Sequence, residues 1–187
     1  MISLRKNYIP LYCYIKKVFT QDECKIISSI KNKIELKKGV VNNQKEFQKI
    51  RKSDVYWLEN NEEYSWVYDK INDCIQELNN KYFKFNIDSM EFIQFTNYKA
   101  PSGKYGKHID CITDHVVRKL SFVVQITDPK KYKGGDLCLY DGEEPQKMNK
   151  DQGDFICFPS YVLHEVEPIT KGERNSLVGW VGGENFK

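Results

Sequence analysis

The chain has 187 residues, of which 40% are hydrophobic and 29% charged, with 12 Tyr, 10 Phe and 3 Trp; this is the make-up of one globular domain able to bury a core, not of a disordered chain. A formal charge of +3 is too small to argue for nucleic acid, whose partners concentrate basic residues on one face. The apolar run at 11–18 is short, is broken by Lys16 and Lys17 and lacks a signal-peptide core, so no membrane partner and a cytoplasmic location are expected. Six cysteines (Cys13, Cys24, Cys74, Cys111, Cys138, Cys157) form no Cys-x-x-Cys pair and read as reduced, mostly buried thiols.

Residues 8–19 read as an opening strand or two. Thr20-Gln21-Asp22-Glu23 is a capping box, in which hydroxyl and carboxylate satisfy amides at a helix start. Ile27, Ile30 and Ile34 then recur at helical spacing with lysines opposite. Residues 37–50 are polar and without period, which predicts a mobile loop and a candidate substrate lid. A strand is expected at 53–58 and a helix at 62–79, with Val67, Ile71, Cys74, Ile75 and Leu78 on one face. From Met90 the pattern changes to short strands at 90–98, 120–127, 136–140, 155–158, 162–167 and 176–181, separated by Gly, Pro and Asp turns. The expected fold is α+β, mainly β: one domain over 1–187, with a double-stranded β-helix (jelly-roll) core at 89–187 and N-terminal helices of 1–88 packed on one of its sheets.

If residues 106–111 are extended, alternation puts His108 and Asp110 on one face, where an imidazole and a carboxylate converge. A third donor, His164, lies more than fifty residues downstream, on a stripe with Val162 and Val166. Taken alone, a histidine in such a stripe is more often a hydrogen-bonded core residue than a ligand. Joined to His108 and Asp110 it makes two histidines and one carboxylate, the facial set of non-haem iron(II) oxygenases, which leaves metal positions open. Arg174 lies ten residues beyond His164, across a turn at 168–172, and shares a strand face with Ser176, Val178 and Trp180. Its planar guanidinium suits a carboxylate gripped through two parallel hydrogen bonds; the alternative is a surface ion pair with Glu173 or Glu165. On the strand at 120–127, Leu120, Phe122, Val124 and Ile126 fill one face and Ser121, Val123, Gln125 and Thr127 the other. His115 reads as exposed or substrate-facing and Cys111 as packing. Tyr98, Tyr105 and Trp180 are pocket or core aromatics.

From Phe92 to Gly182 the chain resembles an iron(II)/2-oxoglutarate-dependent oxygenase of the prolyl-4-hydroxylase-like branch, especially the compact PKHD-type hydroxylases. The likeness is carried by His108-Ile109-Asp110, Arg118-Lys119-Leu120-Ser121-Phe122, Tyr132-Lys133-Gly134-Gly135-Asp136-Leu137, Gly153-Asp154-Phe155, Phe158-Pro159-Ser160, His164 and Gly172-Glu173-Arg174-Asn175-Ser176-Leu177-Val178-Gly179-Trp180. Residues 1–88 resemble the family only in general layout. The resemblance implies Fe(II) held by His108, Asp110 and His164, with 2-oxoglutarate and O2 as co-substrates and ascorbate as a stimulant. It implies that 2-oxoglutarate chelates the metal through its 2-oxo and C1 carboxylate groups and meets Arg174 through its distal carboxylate, Ser176 and Tyr98 helping to hold it. The implied reaction hydroxylates an unactivated C–H bond, of a prolyl or other peptidyl residue first, with release of succinate and carbon dioxide.

Two departures stand out. Oxygen-sensing prolyl hydroxylases, which the chain also resembles, carry a tyrosine in the strand matching 120–127, where this chain has none, so Gln125 or Tyr98 is the available substitute. Collagen-type relatives place lysine at the position of Arg174, which keeps the charge but not the geometry. Other readings are hydroxylation of a free amino acid or small metabolite, and a non-catalytic cupin-like metal-binding module. Nucleic-acid dealkylation fits less well, since that family tends to carry a second arginine where Trp180 stands.

Overall fold

The structure, a computed structural model, describes residues 8–33, 37–38, 50–111 and 117–185. Apart from Lys37, Lys38 and Ile50, the candidate lid lies outside these residues, as do Ile34 and His115.

The opening segment contributes one short strand, β1 (Cys13–Ile15). The capping box forms as expected: the Thr20 N–H donates to Glu23 Oε2 at 2.8 Å and the Glu23 N–H to Thr20 Oγ1 at 3.2 Å, starting α1 (Gln21–Ser28). The helix is shorter than its apolar period predicts. Ser29 interrupts it, its hydroxyl donating to the Ile26 carbonyl at 2.7 Å in competition with the helical ladder, before one more turn at Ile30–Lys33. Lys37–Lys38, expected in a loop, pairs with β2 (Asp54–Leu58). The second helix, α2 (Ser65–Leu78), begins later than predicted because the Asn61 carboxamide accepts the N–H groups of Glu63 and Tyr64 and holds them in a turn. It runs on into a wider turn at Asn79–Phe83, closed at Lys84 with φ 55°.

The strands that follow are β3 (Ile93–Lys99), β4 (Lys104–His108), β5 (Arg118–Gln125), β6 (Leu137–Tyr140), β7 (Phe155–Pro159), β8 (Leu163–Val166), β9 (Ile169–Lys171) and β10 (Glu173–Gly182). The strand expected at 90–98 is split: Ser89–Met90 pairs with the end of β10, and Glu91 turns its carboxylate to Arg118, with contacts of 2.5 and 2.6 Å. β10 starts earlier than predicted because it is central, paired along its length by β3 on one side and β5 on the other.

The larger sheet runs β1, β7, β5, β10, β3, β2 and Lys37–Lys38; the smaller runs Gln146–Lys147, β6, β8, β4 and Arg51–Lys52, and β9 pairs separately with Lys133–Gly134. All pairings are antiparallel. This is the jelly-roll core expected from the strand pattern, with the helices on one face.

Alternation gives the large sheet two unlike faces. Outward, Phe95, Leu120, Phe122, Val124, Phe155 and Leu177 pack with Ile27, Val67, Ile71 and Ile75 of the helices into the main core. Each such side chain contributes about 1.5–3 kcal/mol on burial. The Tyr68 hydroxyl fastens α2 to two strands, donating to Leu58 O at 2.5 Å and accepting from the Ile93 N–H at 2.9 Å. Inward, toward the small sheet, the register places Tyr98, Thr96 and Gln94 beside Arg174, Ser176 and Val178, and Gln125 and Ser121 beside Ser176 and Trp180. Such a polar inner face is costly unless something uses it. Among the described residues, no helix is long and apolar enough to cross a membrane, and all six cysteines are free.

Candidate active site

His108 and His164 face each other across the small sheet, directly paired in register, with ring centroids 4.1 Å apart. Sequence reasoning places Asp110 on the same strand as His108. In the structure β4 ends at His108, and Asp110 sits on a bend held by its N–H, which donates to the Ser160 carbonyl at 2.9 Å. The convergence survives the correction. Asp110 Oδ1 lies 3.6 Å from His108 Nε2 and Oδ2 lies 3.4 Å from His164 Nε2. One ligand atom from each residue falls within 4.8 Å of the others.

The surroundings prepare these atoms. His108 Nδ1 donates to the Gly106 carbonyl at 2.7 Å and His164 Nδ1 to the Val162 carbonyl at 2.9 Å, so each neutral ring carries its lone pair on Nε2, toward the carboxylate. Burial first, then His164 beside it, lowers the His108 pKa from 6.5 to about 4, leaving a neutral imidazole at neutral pH. Burial works to raise the Asp110 pKa, but the imidazoles of His164 and then His108 facing its oxygens, which hydrogen-bond and attract the carboxylate whenever they are protonated, hold it well below the usual carboxylate range. Ser121 Oγ donates to Asp110 Oδ2 at 2.8 Å and lies 3.0 Å from Ser160 Oγ. Two imidazole nitrogens and an ionised carboxylate on one side of an ion, the rest left open, fit an octahedral ferrous ion.

A β-bulge in β4 shapes the wall. His108 opposes His164 and Tyr105 opposes Val166, so three positions on one strand span two on the other. Tyr105 therefore turns to the same face as His108 and stacks on it, with centroids 3.6 Å apart and planes 17° apart. Of its two sequence-level roles, Tyr105 takes the one beside the site.

Arg174 lies deeper between the sheets and is 1% exposed. Its Nη2 donates to Gln125 Oε1 at 3.0 Å and its Nη1 reaches Ser176 Oγ at 3.5 Å, while the Tyr98 ring lies 5.5 Å below the guanidinium. The surface ion pair weighed as an alternative does not form: Glu173 is taken by Lys31 at 2.8 Å and Glu165 by the Tyr140 hydroxyl. Among the described residues no carboxylate pairs with Arg174, and its Nε meets no partner. A buried cation with only neutral neighbours and one orphaned N–H is a seat for an anion. Burial raises the Tyr98 pKa against the opposing charges of Arg51 and Arg174, keeping its hydroxyl protonated. The donor set fits the distal carboxylate of 2-oxoglutarate.

Sequence reasoning missed Arg51. It is buried, donates from Nε to Ser53 Oγ at 2.9 Å and from Nη2 to Gln94 Oε1 at 2.6 Å, and lies 4.6 Å over the Tyr105 ring. The Arg-x-Ser pattern at 51–53 repeats that at 174–176 and was the available signal; it was hidden at the edge of a segment without period. Trp180, 7% exposed, packs at a tilt against Trp57, with ring centroids 6.0 Å apart, and lies under the Arg118 guanidinium at 4.0 Å. Its indole N–H has no partner at hydrogen-bonding geometry, although it lies close enough to help keep Asp110 ionised.

The match with known proteins falls on this region. The model of the 2OG-Fe(II) oxygenase superfamily matches residues 93–182. A PKHD-type hydroxylase of Prochlorococcus marinus is 40% identical over 83 residues, 44% of this chain and 38% of that protein. Another from Alteromonas mediterranea is 37% identical over 92 residues, 46% of this chain and 41% of that protein. The match thus spans about two fifths of the length of these relatives. A prolyl-4-hydroxylase of Pseudomonas putida shares the fold at TM-score 0.73 and 21% identity, over 94% of each chain. A prolyl hydroxylase of Trichoplax adhaerens, solved with a hypoxia inducible factor oxygen degradation domain peptide fragment, superposes at TM-score 0.79 and 17% identity over 95% of this chain and 84% of that one. Residues 93–182, which carry the histidines, the aspartate and the buried arginine, are thus the part of the chain that matches the 2OG-Fe(II) oxygenase superfamily, and the prolyl-4-hydroxylase structures share the fold.

Proposed function

We propose that residues 1–187 act as one Fe(II)- and 2-oxoglutarate-dependent dioxygenase domain that hydroxylates an unactivated C–H bond of a prolyl or other peptidyl residue. The observation that carries this reading is the pairing of His108, Asp110 and His164, within 4.8 Å of one another, with a buried Arg174 that lacks an acid. In it, His108, Asp110 and His164 hold the metal, Arg174 and Ser176 anchor the distal carboxylate, and Tyr98 supports the same group. When bound, ferrous ion and 2-oxoglutarate supply the oxidising chemistry, in which the diacid is decarboxylated to succinate and one oxygen atom of O2 enters the substrate.

The protein's own share is orientation and the exclusion of water. Ser121 and the Ser160 carbonyl fix Asp110, and Tyr105 braces the His108 ring. Trp57, exposed beside Trp180, offers an apolar surface that suits a saturated ring or aliphatic side chain presented on a peptide. The hydroxylase names of the similar curated proteins support the reaction, and the fold shared with prolyl hydroxylases supports the substrate class. Six free thiols suit a reducing, cytoplasmic setting.

The test is a library of proline-bearing peptides, free amino acids and small metabolites, screened for succinate release with the Fe(II)-loaded protein. A peptide that stimulates release and gains the mass of one oxygen atom is the expected result. Stimulation by a free amino acid alone would move the substrate class to small molecules. If the anaerobic protein with Fe(II) and 2-oxoglutarate develops no visible charge-transfer band, it is a binding module instead.

A further inference from the structure

The end of the interior that holds Arg174 contains a second group without a partner. Tyr132 is 4% exposed and its hydroxyl, fully buried, makes no hydrogen bond, just as Arg174 Nε makes none. Orphaned buried polar atoms are rare in folded proteins, and Tyr132 belongs to the same apolar cluster as Tyr98, whose ring lies 5.5 Å from the Arg174 guanidinium.

The chain delivers Tyr132 to this place by a short route. A turn at Pro129–Lys131, capped by Asp128, leads into Lys133–Gly134, which pairs with β9 so that Lys133 faces solvent and Tyr132 turns inward among Tyr98, Leu137 and Ile169. Two glycines make room. A Cβ on Gly172 would lie 3.2 Å from Tyr132 Cα, and one on Gly135 would collide with Ile169 Cδ1 and press on Arg174 Cδ at 3.3 Å. The segment 132–135 and the start of β10 are therefore in contact around Arg174. Lys150 closes the outer side, its Nζ 4.7 Å over the Tyr132 ring and bound to Asp136 Oδ1 and the Gly134 carbonyl, both at 2.8 Å.

We propose that the Tyr132 hydroxyl donates a hydrogen bond to the distal carboxylate of the 2-oxo diacid that Arg174 anchors, supplying the hydroxyl that β5, with no tyrosine, does not. This rests on the function proposed above. Tyr132 is then a co-substrate-binding residue that selects for length and charge at the far end of the diacid.

The experiment compares wild type and Tyr132→Phe in two measurements: thermal melting of the ligand-free protein, and anaerobic titration of the Fe(II)-loaded protein with 2-oxoglutarate or with pyruvate, a 2-oxo acid without a distal carboxylate. The variant is expected to melt at the same temperature as wild type or higher, because it removes a buried hydroxyl that has no partner. Its affinity for 2-oxoglutarate should fall about 10- to 100-fold, the effect of one hydrogen bond to a charged group, while pyruvate binding stays the same. Equal affinity for 2-oxoglutarate overturns the assignment, as does an equal loss for both acids, which would mark Tyr132 as packing. A lower melting temperature overturns it as well, because the hydroxyl would then already have a partner in the empty protein. A wild type that binds no 2-oxoglutarate overturns the function beneath it; a wild type that binds, with a variant that binds equally, sinks only the role of Tyr132.

Discussion

The two ends of the space between the sheets are built on opposite terms. At the histidine end the polar atoms are held before any ligand arrives: both Nδ1 atoms donate to carbonyls, and Asp110 is fixed by Ser121 Oγ and by its own N–H to Ser160. At the arginine end donors are left over, Arg174 Nε and Tyr132 Oη, in a region where burial is nearly complete. A held site binds by preorganisation and loses affinity when its supports are cut. A site with surplus donors is strained when empty and relaxed by its ligand, so removing a donor should strengthen the empty protein and weaken the complex.

That contrast orders the expected effects. His164→Ala removes one of three donors and should abolish the charge-transfer band in an anaerobic Fe(II) and 2-oxoglutarate titration, a loss beyond the roughly 10- to 100-fold that outer supports produce. Arg174→Met should weaken 2-oxoglutarate by about 100-fold or more, two charge-assisted hydrogen bonds being lost. The same variant should melt higher than wild type without ligand, and a fall in both quantities would erase the distinction between the two ends. Ser121→Ala should cost about 10- to 100-fold in Fe(II) affinity, read by metal competition, and leave the step that depends on Arg174 nearly unchanged. The smallest effect is on the far side of the large sheet, where Thr20→Ala breaks the capping box. It should cost about 1 kcal/mol, or about 2–4 °C of melting temperature, equally with and without ligand; unequal shifts would mean that the helical layer senses the site.

Much of the site was legible because it depends on local rules. A strand alternates faces whatever lies beside it, so the shared face of Arg174, Ser176 and Trp180 on one strand, and that of Ser121 and Gln125 on its neighbour, follow from period two. The order of His108, Asp110, His164 and Arg174 carried the family likeness. Arg51 was not legible, because it borders a segment with no period and gains meaning only from Gln94 and Tyr105, distant in sequence.

The amino-acid sequence by itself determined the capped first helix, the change from helices to short strands and the identities of the converging side chains, since capping and periodicity act over a few residues. Only the tertiary structure decided that β4 ends at His108 and leaves Asp110 to be held by Ser160, that a bulge turns Tyr105 onto the His108 ring, and that Arg174 and Tyr132 are buried without an acid. Register between distant strands and the neighbours a buried atom meets are set when the whole chain packs, and no local pattern encodes them.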